Sequence, residues 1–211
     1  MKKGIIFDMD GTLWDSAEEV VTSWNQSVKA AGYDRAPITA SDMQSVMGKT
    51  MDKLADILFP MFSEEERYAL LDRCGKDENE YLRQHGGRLY PDIRTTMETL
   101  KKKYHLYIVS NCQSGYIEAF LDYYKFHDLI EDIECYGNNK KTKGENISLL
   151  YRRNELDDAV YVGDIEGDYI SSKEAGVKFI HAAYGFGKID EPVPEIKTFA
   201  ELINVADQVL G

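Results

Sequence analysis

The stretch "FDMDGTLWDS" sets Asp8 and Asp10 one residue apart at the end of the apolar run Ile5, Ile6, Phe7. Asp164 and Asp168 stand in "VGDIEGD", directly behind another apolar run. Aspartate before glycine is ordinary turn chemistry, but a second acidic pair behind a second strand points to a shared site. Four carboxylates brought within several ångströms of one another cannot all ionise without a counter-charge. A hard divalent cation supplies it, and Mg²⁺ suits a site of few carboxylates completed by water and substrate oxygens. Ser110 and Asn111 end the run "HLYIVSN" and offer a hydroxyl and neighbouring backbone N–H groups, while Lys143 adds positive charge. Together these parts hold a phosphoryl group and neutralise it as it moves. Asp8, at the rigid end of a strand, is placed to attack phosphorus and form an aspartyl-phosphate. Asp10 is then the acid that protonates the leaving oxygen and later the base that activates water. That role requires a pKa raised from its ordinary value, and the neighbouring acids provide the cause.

The elements that position these residues are legible from periodicity. Residues 4 to 8 form a continuous apolar run, as in the buried middle of a parallel sheet. Ser16 with Glu19 reads as a capping box, and Val20, Val21, Trp24, Val28 and Ala31 follow at helical spacing up to Gly32. Further helices are predicted from Thr39 to Met47, from Thr50 to before Pro60, and from the Ser63/Glu66 box to His85, where Gly86 and Gly87 stop the chain. No strand interrupts this block. Afterwards strands and single helices alternate: helix 92–103, strand "HLYIVSN", helix 114–124, a strand near 133–136, a helix boxed by Thr142 and Glu145, strand "AVYVGD", a helix to Gly176 and strand "VKFIHAAY". Thr198 and Glu201 are expected to cap a final helix. Such alternation means right-handed βαβ units and a parallel sheet covered on both faces. The expected fold is a doubly wound, Rossmann-like α/β core, residues 1–13 and 88–211, interrupted by an all-helical cap at 14–87. In such sheets the ligand crevice lies beyond the carboxyl ends of the strands, where the acids, Ser110 and Lys143 all fall.

Composition sets outer bounds. The 211 residues carry a formal net charge of −12, with 37 acids against 25 bases, so a nucleic-acid backbone is not the expected partner. The longest apolar runs are strand-sized, and the N-terminal one ends in Asp8, so neither a membrane span nor a secretory leader is expected. Cys74, Cys112 and Cys135 show neither metal spacing nor a disulfide framework and read as free thiols of a cytoplasmic protein. A monomer is expected. Trp14, just behind the acidic loop, and Lys49 in the helical block are candidate substrate contacts. His85 reads as a surface or hinge residue.

"FDMDGTLWDS", "IVSN", "KTKGEN" and "VGDIEGD" resemble, in order and spacing, the four motifs of haloacid dehalogenase-like hydrolases, in the branch with a helical cap after the first motif. That branch includes phosphoglycolate phosphatases and β-phosphoglucomutases. The resemblance implies Asp8 as nucleophile, Asp10 as general acid/base, and Mg²⁺ bound by the Asp8 carboxylate, the Asp10 main-chain carbonyl and Asp164, with Asp168 in support. It further implies that Gly11 and Thr12 order the catalytic loop and that Ser110 and Lys143 hold phosphate. One departure is Gly144, where the family often has proline after the motif lysine; Lys143 rather than Lys140 or Lys141 is assigned because "KGENISLL" preserves the following helix. The leading function is a Mg²⁺-dependent phosphatase of a small phosphorylated metabolite, with phosphoglycolate first to test. A sugar phosphomutase is the alternative on the same core. A phospho-acceptor regulatory module is the alternative of another class, disfavoured because it needs neither Asp10 nor a lid.

Overall fold

In the computed structural model, which describes all 211 residues, the chain begins with β1 (Lys3–Phe7) and the two-residue strand β2 (Trp14–Asp15). Four helices follow: α1 (Ala17–Ala30), α2 (Ala40–Gln44), α3 (Met51–Leu58) and α4 (Glu64–His85). After the short β3 (Arg88–Leu89) come α5 (Ile93–Leu100), β4 (His105–Ser110), α6 (Tyr116–Tyr124), β5 (Asp132–Cys135) and α7 (Tyr136–Asn139). The chain closes with α8 (Lys143–Arg153), β6 (Asp158–Gly163), α9 (Glu166–Glu174), β7 (Lys178–Ala182), β8 (Glu195–Ile196) and α10 (Leu202–Leu210).

Six strands form one parallel sheet in the order β5-β4-β1-β6-β7-β8. The chain winds outward from β1 to β4 and β5, then returns to lay β6 on the other flank of β1. The carboxyl end of β1 is therefore the point where the winding reverses, and there a crevice opens in a parallel α/β sheet. Register places Phe7 beside both Ile108 and Val162, so Asp8, Ser110 and Asp164 emerge along one rim.

The strands are apolar throughout because both faces are covered. Ile5, Phe7, Leu106, Ile108, Val160 and Val162 point into one core, which continues without a break into Trp24, Met43 and Leu54 of the helical block. Ile6, Tyr107, Val109 and Tyr161 point to the other side, beneath Ile147 and Leu150 of α8. No helix is long and apolar enough to cross a membrane.

Capping boxes form as expected at Ser63/Glu66 and Thr142/Glu145. Two others do not. Ser16 makes no side-chain cap for α1, because its hydroxyl is drawn to Asp10 and Tyr116 instead. Thr198 likewise does not cap with its side chain; a 3₁₀ turn at Phe199–Glu201 opens the last helix, and the Glu201 carboxylate accepts from the Lys197 N–H. Periodicity also passed over the antiparallel pairing of β2 with β3, which joins the chain entering the helical block to the chain leaving it. Two-residue strands carry too few side chains for alternation to register.

Candidate active site

Behind β1 the chain turns sharply. The Thr12 and Leu13 N–H groups both donate to the Met9 carbonyl, and the Gly11 N–H donates to the Trp14 carbonyl, at 3.1, 2.8 and 2.9 Å. Gly11 adopts φ +84°, and a Cβ there would lie 2.1 Å from Asp164 Oδ2. Glycine is thus required twice, for the left-handed backbone and for the close approach of the acid. The Thr12 main chain is bonded on both sides, since the Tyr184 hydroxyl also donates to its carbonyl at 2.8 Å, while its own buried hydroxyl has no partner.

Asp8, Asp164 and Asp168 are buried, and one oxygen of each lies within 4.8 Å of the others. Lys143, the first residue of α8, reaches into this group. Its Nζ donates to Asp8 Oδ1 at 3.0 Å and to Asp168 Oδ1 at 2.5 Å, and only 3% of its side chain is exposed. Lys140 and Lys141 are solvent-facing, so Lys143 is the one of the three that reaches these carboxylates. The second Asp168 oxygen accepts from the backbone N–H groups of Asp164 and Ile165 at 3.0 and 3.2 Å. Asp168 therefore anchors both the lysine and the turn carrying Asp164. Asp164 is gripped from the far side by the loop after β7, whose Phe186 N–H donates to Oδ2 at 2.7 Å. Gly144 has a local cause: α8 and α9 approach so closely that a Cβ would meet Glu174 Oε2 at 2.8 Å and the Ser171 carbonyl at 3.1 Å.

Three buried carboxylates have one lysine beside them, bonded to Asp8 and Asp168 only, an arrangement with too little positive charge for all three to ionise. Burial, then the Asp168 charge, pushes the Asp8 carboxyl up despite Lys143. Burial, Asp168 and Asp8 push Asp164 up in turn. Lys143 moves the opposite way to the usual buried amine: its two carboxylates outweigh the cost of burial and raise it. A hard divalent cation with oxygen preference fits this donor set, since it would remove the repulsion that the lysine leaves.

Asp10 points elsewhere. Its Oδ1 accepts from Ser16 Oγ at 2.8 Å and from the Tyr116 hydroxyl at 2.7 Å, and those two hydroxyls are 2.7 Å apart. Burial raises its pKa to about 6 against the lowering effect of Tyr116 and Ser16. The sequence marks neither Ser16 nor Tyr116 as a partner of Asp10. Ser16 reads as a helix cap, and Tyr116, one of fourteen tyrosines, sits about a hundred residues away with no local pattern to mark it.

Ser110, Asn111 and Lys49 line one cavity with Asp10. Asn111 is partly committed: its amide N–H donates to the Gly48 carbonyl at 2.8 Å, tying the rim to the helical block. Trp14 does not line this cavity. It is fully buried, with its ring 5.1 Å from Phe120 and 5.5 Å from Tyr116, so the expectation of a substrate contact there is corrected to a core role. All three cysteines are free and buried. Cys112 lies in the same wall.

The model of the family described as haloacid dehalogenase-like hydrolase matches residues 5–182. A phosphoglycolate phosphatase of Aquifex aeolicus (strain VF5) is 29% identical over 196 residues, covering 90% of this chain and 89% of that one. A phosphoglycolate phosphatase of Vibrio cholerae is 26% identical over 206 residues, covering 90% and 88%. Among solved structures, CbbY from Rhodobacter sphaeroides in complex with phosphate superposes with a TM-score of 0.81 at 18% identity, covering 98% of this chain and all of the other (100%). A haloacid dehalogenase-like family hydrolase from Streptococcus pneumoniae gives 0.76 at 19% identity, covering 97% of each chain. With a parallel sheet that carries the four motifs to one rim, the chain belongs to the haloacid dehalogenase-like hydrolases and is an enzyme of their phosphatase kind.

Proposed function

We propose that this protein hydrolyses a small phosphoric monoester with Mg²⁺, through an aspartyl-phosphate on Asp8. The observation that carries the reading is the buried group of Asp8, Asp164 and Asp168, the first and last of them paired with Lys143, at the point where the sheet winding reverses. Asp8, the Asp10 main-chain carbonyl and Asp164 would hold the ion, with Asp168 positioning its neighbours. When bound, the ion offsets the negative charge that otherwise opposes the approach of a phosphate to these carboxylates.

Asp8 Oδ attacks phosphorus, the P–O ester bond breaks, and its electron pair leaves on the alcohol oxygen, which takes the proton of Asp10. A pKa of about 6 leaves Asp10 partly protonated at neutral pH, which suits an acid that must later become a base. A water molecule then loses its proton to Asp10 and attacks phosphorus, the Asp8–phosphorus bond breaks, and phosphate leaves. Ser16 and Tyr116 aim the Asp10 carboxyl through both steps. Lys143 and Ser110 balance the charge of the phosphoryl oxygens. Residues 14–87 act as a cap on the core of 1–13 and 88–211, excluding bulk water from the rim.

Mg²⁺-dependent phosphate release is to be measured across a panel of phosphate monoesters, with phosphoglycolate as the reference ester because the relatives are named for it. Asp8→Asn is expected to abolish turnover, on the order of 10⁴-fold or more in kcat, and Asp10→Asn to slow it severely. No metal-dependent release by the folded wild type on any ester of the panel would refute the proposal.

A further inference from the structure

One buried acid has no part in the steps above. Glu78 lies on α4 with 4% of its surface exposed. It accepts a hydrogen bond from the Trp24 indole N–H, and Gln113 is its other polar partner. An indole and an amide satisfy the carboxyl without neutralising it, so burial pushes its pKa up to about 7. The acid also faces space. Glu78 lines the same cavity of about 40 Å³ as Asp10, Ser110 and Asn111, and Trp24 and Met43 supply apolar wall beside it. A phosphoryl group on Asp8 would send its alcohol half past Asp10 into this cavity. The volume holds a leaving group of about three non-hydrogen atoms, taking roughly 10–15 Å³ for each water-sized centre.

We propose that Glu78 determines specificity for the alcohol half of the substrate: a short leaving group bearing a hydrogen-bond donor, either hydroxyl or amine, is selected, and one ending in a carboxylate is rejected. The inference rests on the monoester hydrolysis proposed above. A donor finds a buried acceptor with capacity to spare, whereas a second carboxylate would sit beside a like charge in a water-poor pocket. Lys49 is the one cation in the cavity wall, and it stands at the exposed mouth.

The test compares kcat/KM of the Mg²⁺-loaded enzyme on 2-aminoethyl phosphate, 2-hydroxyethyl phosphate, propyl phosphate and phosphoglycolate. The wild type is expected to prefer the amine or hydroxyl ester over phosphoglycolate by about tenfold or more. Glu78→Gln keeps an acceptor for Trp24 and should collapse that ratio. The collapse is larger for the amine ester if the natural group is a cation and similar for both if it is a hydroxyl. An equal fall on every ester in Glu78→Gln would mark a structural residue and overturn the proposal. So would a wild-type preference for phosphoglycolate, particularly one lost in Lys49→Met. Should Glu78→Gln fail to fold, the wild-type ranking and Lys49→Met still decide. If folded wild type hydrolyses no ester in the panel, the hydrolytic reading itself fails and this inference falls with it.

Discussion

Asp10, the proposed general acid/base, has its setting made by its partners rather than by the acid itself. Two hydroxyls hold one of its oxygens, and both favour its charged form against burial. Removing one of them in Tyr116→Phe should raise the Asp10 pKa above its present value of about 6. Because the first step of the proposed mechanism needs protonated Asp10, the alkaline limb of the pH profile of kcat/KM should then move to higher pH. A profile that keeps its shape and position while the rate falls would assign Tyr116 to packing alone. Gly11 is the other residue with no substitute. Gly11→Ala meets the positive φ, costing about 1–2 kcal/mol, and also pushes on the Asp164 carboxylate. A lower denaturant midpoint together with weakened Mg²⁺ binding in titration is the expected pair of results.

At the level of elements, the strand ends were legible because their chemistry is concentrated there. An unbroken apolar run followed by aspartate, or by serine and asparagine, is conspicuous, and the alternation of strands with helices fixed where the rim would be. Lys143 was recoverable for a related reason: Thr142 and Glu145 box the helix that begins with it. The glycines around Asp164, at positions 185 and 187, gave no such signal, since their need for small size arises only when distant loops meet. Trp14 was misread for the same cause. Its position behind the catalytic loop suggested the pocket, but β2 turns its ring inward against Tyr116, Phe120 and Tyr124. Trp14→Ala should accordingly reduce stability by about 3–5 kcal/mol in chemical denaturation. A loss confined to KM, with stability intact, would restore the substrate-contact reading. Glu78 was the least visible of all, being one acid among many on a polar helix until folding set it against Trp24.

For the molecule as a whole, the acidic site makes stability depend on protons and, on the function proposed above, on Mg²⁺. Asp8, Asp10 and Asp164 all have folded pKa values raised above the usual carboxylate range by burial. Their neutral forms suit the metal-free interior, so that share of stability is fully present below the ordinary carboxylate value of 3.8 and is lost between there and the raised values of about 6 to 8. Mg²⁺ requires the ionised forms and should act in the opposite sense. Thermal melts are expected to show Tm of the metal-free protein falling between about pH 4 and 8 and levelling off above, with a Mg²⁺-induced rise that grows along the same interval. Asp164→Asn should flatten both trends; a Mg²⁺ effect independent of pH would count against the site. The β2–β3 ribbon bears on a longer timescale. Because the two threads of the helical block leave the core as paired neighbours, a block of different length or shape could be spliced in at that seam without re-routing any strand of the sheet. Inheritance can therefore rewrite which alcohol is accepted while the machinery that breaks the ester bond is passed on intact.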